Sequence, residues 1–74
     1  MKATDIVRTI MKNNGIKIAA LADKLKIRSN VISVRLTQDN ISISKLDEML
    51  RLMDYKIIVV PRDTIEKEGW YRAE

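Results

Sequence analysis

Apolar residues recur at intervals of three and four over most of the chain. In residues 3–13, Ile6, Val7, Ile10 and Met11 share one stripe while Arg8 and Lys12 fall on another face, the spacing of an amphipathic helix. Thr4 can cap its start, Asp5 stands in the first turn, and Gly15 supplies a left-handed residue to end it. Residues 17–25 repeat the pattern, with Ile18, Ala22 and Leu25 on a stripe, Leu21 beside them, and Ala19, Ala20 and Ala22 small enough for another helix to approach closely. Residues 26–29 interrupt it. A third helix then starts at Ser29 or Asn30, with Ile32 and Leu36 inward and Ser29, Asn30, Ser33 and Val34 outward. After a polar turn at 37–40, Ser42 or Ser44 caps a fourth helix whose inward set is Ile43, Leu46, Met49, Leu50 and Met53, and Asp54 closes it. Met11, Met49 and Met53 are expected as core filler.

The period changes at Tyr55. Tyr55-Lys56-Ile57-Ile58-Val59-Val60 is β-branched and bounded by Pro61, which predicts a strand. One strand cannot pair with itself, so either residues 70–72 fold back beside it or it pairs with its copy in a second chain. The expected fold is mainly α: a four-helix domain over residues 1–54, followed over 55–74 by a β-strand and tail serving dimerisation.

Composition narrows the chemistry. The 74 residues suffice for one small core and contain neither Cys nor His. Disulfides, thiolate nucleophiles and zinc fingers are excluded, and the commonest general base and metal ligand is missing. No metal or other cofactor is expected, and an enzyme would have to run on carboxylates. Asp47, Glu48 and Asp54 lie on or near one helix without metal-ligand spacing, so solvation accounts for them better than catalysis. No apolar run approaches the roughly 20 residues of a membrane helix, and Met1 is followed by mixed polar sequence. The expectation is a soluble cytoplasmic protein with no membrane partner.

The net charge of +4 hides an asymmetry. Residues 1–36 hold eight bases and two acids, whereas residues 37–74 hold six bases and eight acids. Residues 24–38 contain four bases, Lys24, Lys26, Arg28 and Arg35, and no acid. A helix in that window presents unneutralised positive charge, the footprint of a polyanion-binding surface. The bland reading is a solvated helix face.

A short turn between the second and third helices, and a third helix rich in Ser and Asn with flanking bases, are what a helix-turn-helix requires. Leu21-Ala22-Asp23-Lys24-Leu25 followed by Ile27-Arg28-Ser29-Asn30-Val31-Ile32-Ser33 resembles the helix-turn-helix of the phage repressor and Cro family, also called the xenobiotic-response-element type. The resemblance covers roughly residues 3–54. It implies a repressor-like helical domain in which Ser29, Asn30, Ser33 and Val34 face the bases. Two positions depart from the family pattern: Lys17-Ile18 stands where a Gln often opens the second helix, and Lys26 replaces the usual Gly of the turn.

Side-chain chemistry assigns the roles. Asn30 can bond bidentately to adenine, Ser29 and Ser33 to almost any base edge, Val34 can touch a thymine methyl, and Arg28 can reach guanine or a phosphate. Lys17, Lys24, Lys26 and Arg35, with Gln38 and Asn40 in the following loop, are expected as phosphate contacts that fix register. Each has a plainer alternative: Ser29 or Asn30 as a helix cap, Val34 as an ordinary exposed aliphatic, and Arg35 packed on the core while paired with Asp39 or Asp47. Antiparallel pairing of Tyr55, Ile57, Ile58, Val59 and Val60 across a two-fold axis would set two third helices about one turn of DNA, roughly 34 Å, apart. The leading expectation is a small transcriptional repressor of phage or mobile-element type, a homodimer on palindromic double-stranded DNA. The alternative is a protein-interaction module on the same fold, such as an antitoxin or inhibitor, engaging a protein partner through the tail with Trp70 and Tyr71 as anchors.

Overall fold

The computed structural model describes residues 1–73, whose four helices are α1 (Ala3–Asn13), α2 (Ile18–Leu25), α3 (Ser29–Arg35) and α4 (Ile43–Arg51). α2 packs against α3 and α1 against α4. Each helix drives at least one fully buried side chain into a common centre: Val7 and Ile10 from α1, Leu21 from α2, Ile32 from α3 and Met49 from α4. Met11, Leu36, Leu50 and Met53 close the core around them. The three- and four-residue spacing of these positions is what puts them on single stripes.

Three of the four helices end in the same way. At Gly15, Lys26 and Asp54 the backbone turns left-handed, with φ of 63°, 57° and 63°. The following amide reaches back five residues, Ile16 to the Met11 carbonyl at 2.8 Å, Ile27 to Ala22 at 3.0 Å and Tyr55 to Leu50 at 3.0 Å. The left-handed residue's own amide reaches back three. This Schellman geometry satisfies carbonyls that a helix end would leave open. Ile16, Ile27 and Tyr55 each pack on the core just past the turn, the apolar contact that accompanies the motif. Gly15 and Asp54 tolerate the conformation, but Lys26 carries a Cβ into it at a cost of about 1 kcal/mol.

The helix starts depart in part from expectation. Ser42 caps α4, its Oγ accepting from the Lys45 amide at 3.2 Å. Thr4 does not cap α1, which begins after Lys2 without a side-chain cap; Thr4 is buried instead. Ile43 is not part of the inward set of α4. As the helix's first residue it is 73% exposed, a turn short of where the stripe meets α1.

No strand forms among the described residues, so the expected C-terminal β-strand is corrected to an irregular segment without a backbone ladder. Tyr55 is half-buried against the core, and Tyr71 returns to meet it edge-on, the ring centroids 6.0 Å apart. The Asn13 amide donates to the Tyr71 hydroxyl at 3.3 Å. The tail thus comes back as a ring contact and not as a backbone ladder. Residues 56–60 line a cavity with residues of the returning tail, but their amides and carbonyls bond to no other described backbone group. A strand exists only by pairing.

Candidate nucleic-acid interface

The helix-turn-helix is built by α2, the three residues Lys26, Ile27 and Arg28, and α3. The left-handed turn at Lys26 is what reverses the chain so tightly. Leu21, Ala22 and Ile32 lock the two helices face to face with almost no exposure, leaving the opposite face of α3 open.

All five residues expected at base edges are exposed, but only Asn30 and Val34 lie on the side of α3 opposite the buried stripe; Ser33 and Ser29 flank it on one side and Arg28 stands at the helix start. Ser29, Asn30, Ser33 and Val34 are exposed on α3, and Arg28 is exposed at its start. Arg28 occupies the capping position in extended backbone geometry, with no side-chain cap bond. Ser29 and Asn30 therefore lie inside the helix and do not cap it. Neither they nor Ser33 spends its side chain on a hydrogen bond to any described residue. Val34 is 57% exposed and Val31, beside it, 39%. Val31 falls by its sequence spacing with Ile32, Arg35 and Leu36, yet it is exposed beside Val34.

The expected phosphate contacts divide. Lys17, Lys24, Lys26, Gln38 and Asn40 are exposed, Lys17 immediately before α2 and Lys24 in its last turn. Arg35 differs. Its side chain is only 13% exposed and donates to the Glu48 carboxylate at 2.9 Å, with its Nε buried and without a partner. Its partner is Glu48, and neither Asp39 nor Asp47. Asp39 bonds Lys2 at 2.8 Å and Asp47 bonds Arg51 at 2.5 Å. In this arrangement Arg35 braces α3 against α4 and is not presented to a ligand, because three residues from Ile32 it lies close to the buried stripe.

Two further bases adjoin the interface from α1. Arg8 and Lys12 line a shallow cleft with Lys17, Ile18 and Leu36, and Arg8 donates to the Leu36 carbonyl at 3.1 Å, tying α1 to the end of α3. Their four-residue spacing on the polar face of α1 was visible in the sequence, but not that this face meets the start of α2. Outside this surface, the exposed pair Lys2 and Asp39 perturb each other's titration. Lys2 is raised above its ordinary value, and Asp39 lowered below its own, first by the hydrogen bond between them and then by their opposite charges.

The remaining acids form no centre. Glu48 and Asp47 are engaged by Arg35 and Arg51, Asp54 sits in the turn after α4, and among the described residues no group of three or more His, Cys, Asp or Glu is placed to hold a metal ion. No described helix is long and apolar enough to cross a membrane. No family model, curated protein or solved structure matches the chain.

Proposed function

We propose that the chain is a sequence-specific reader of double-stranded DNA, a small repressor of phage type that inserts α3 in the major groove and lays α2 across the backbone. The observation that carries this reading is the outer face of α3. Five adjoining side chains with base-reading chemistry are exposed there and make no competing bonds, in a window holding four bases and no acid. Packing on other protein favours buried, paired groups. A face of short side chains, hydrogen-bonding groups unpaired among the described residues beside small aliphatics, suits base edges, which supply donors, acceptors and the thymine methyl.

Phosphate contacts then fall to Lys17, Lys24 and Lys26 on the helix-turn-helix, with Gln38 and Asn40 in the loop and Arg8 and Lys12 beside Lys17. The protein would act in the cytoplasm as a homodimer, the unpaired segment 56–60 of one chain pairing with that of the other, so that two α3 helices address a palindrome. In support, this segment carries four successive β-branched residues, no charge between Ile57 and Val60, and backbone groups bonded to no described backbone group. Exposed Ile65 and the tail's Trp70 instead suit a protein partner, should the full chain sediment as a monomer.

The test is selection of bound sequences from a random duplex pool, followed by Asn30→Ala and Ser33→Ala. A consensus should emerge, and each change should cost about 1 to 3 kcal/mol of specific affinity while sparing nonspecific binding. No consensus, or silent substitutions, would defeat the reading.

A further inference from the structure

The geometry of α3 goes further than its exposure. Each residue turns a helix by about 100°, so the direction opposite the buried Ile32 and Leu36 runs through Val34, with Asn30 about 40° and Val31 about 60° away. Ser33 and Ser29 lie well to one side. The deepest-reaching part of this face is therefore a triangle in which Val34 neighbours both Asn30 and Val31 at four- and three-residue spacing. Two of its three corners are apolar and exposed, Val34 at 57% and Val31 at 39%, and the third is a carboxamide without a hydrogen-bond partner among the described residues.

Resting on the DNA-binding reading above, we infer that this triangle selects A·T base pairs: Asn30 takes one adenine, and Val31 and Val34 take thymine 5-methyl groups on adjoining pairs. The thymine methyl is the one apolar group on the floor of the major groove, so it is the only base feature that an exposed aliphatic pair can recognise. A carboxamide matches the adjacent acceptor and donor of adenine N7 and N6, which it can bond together. Cytosine offers an exocyclic donor that a carboxylate would accept, and the window around α3 contains no acid. Guanine is left to Arg28, at the helix start and away from the triangle. Exposed Lys24, Lys26 and Arg28, with no acid in residues 24–38, favour a polyanion as the occupant of this face over an ordinary protein contact to the valine pair.

The experiment uses the full chain and the duplex its selection returns. Each thymine of the motif is replaced by uracil, which lacks only the methyl, and each adenine by 7-deazaadenine, which lacks only N7. Binding should fall about fourfold for each methyl that is buried, the value of one carbon removed from water, at one or two thymines per half-site. Val34→Ala and Val31→Ala should bind the thymine and uracil duplexes alike at those positions, and Asn30→Ala should become indifferent to 7-deazaadenine. Both valines are exposed, so these variants keep the helical circular dichroism of the parent. A clear consensus with every uracil silent overturns the methyl assignment and leaves DNA binding standing. The same holds if uracil discrimination survives in both valine variants. Absence of any consensus removes the DNA reading, and this inference with it.

Discussion

Exposed β-branched residues occur in two regions of this protein, on the outer face of α3 and along residues 57–60, and they are exposed for different reasons. On α3, Val31 and Val34 stand on helical backbone, the Val31 amide bonded to the Arg28 carbonyl at 3.0 Å, anchored from behind by Ile32 and Leu36 at almost zero exposure. What such a face offers is side chains in a fixed array. In the tail, Ile57, Ile58, Val59 and Val60 are all exposed, Val59 at 98%, and the backbone beneath them bonds to no described backbone group. What that segment offers is a strand edge. The difference teaches that an exposed apolar residue has to be read together with the hydrogen bonding of its own backbone: where the ladder is closed, only side-chain readout is left, and where it is open, pairing comes first.

The comparison breaks most readily on stability. Ile32→Ala should lose about 2 to 5 kcal/mol by urea unfolding, since it empties the centre of the core. Val59→Ala should stay within about 0.5 kcal/mol at concentrations where the chain is monomeric. Equal losses would mean that the tail is part of the core. Next in size is assembly. Val59→Lys puts like charges across the proposed two-fold edge, so sedimentation of the full chain should shift from dimer toward monomer with the helical signal intact; a dimer that survives would move the interface off residues 57–60.

A smaller effect tests the turn that aims α3. Lys26→Gly should raise unfolding stability by about 1 kcal/mol by relieving the left-handed strain. It should also weaken DNA binding and reduce its salt dependence by about one phosphate. Unchanged salt dependence would remove Lys26 from the phosphate set. The smallest effect belongs to Lys2 and Asp39. With Asp39 lowered from 3.8 and Lys2 raised from 10.5, the pair favours the folded chain between those ordinary values. The contribution fades as pH falls through the lowered Asp39 value, or rises through the raised Lys2 value. Both groups are fully exposed, so Asp39→Asn should leave the melting temperature almost unmoved and any difference should vanish in salt. A substantial drop would show that the pair holds the α3–α4 loop to the start of α1.

The helical body was largely legible because its signals are local. Stripes at three- and four-residue spacing mark α1 to α4, and the lack of acid around residues 24–38 marks the face of α3 before any packing is known. Less was legible wherever one element meets another. Ile43 fits the periodicity of α4 but lies beyond the reach of α1, and Arg35 has several acids within plausible distance, among which only packing selects Glu48. Arg8 and Lys12 could be placed on a polar face, not beside Lys17.

What the sequence determined by itself, then, is the set of helices, the buried stripe of each and the chemistry exposed on α3. These depend on spacing along a chain whose hydrogen bonds close within a few residues. The tertiary structure alone decided that Arg35 pairs with Glu48, that Arg8 and Lys12 adjoin Lys17, and that residues 56–60 find no strand partner among the described residues. Each of these depends on groups on other elements: a helix carries its partners within itself, whereas an ion pair between helices, a surface shared by two helices and a strand take their state from what is packed or paired beside them.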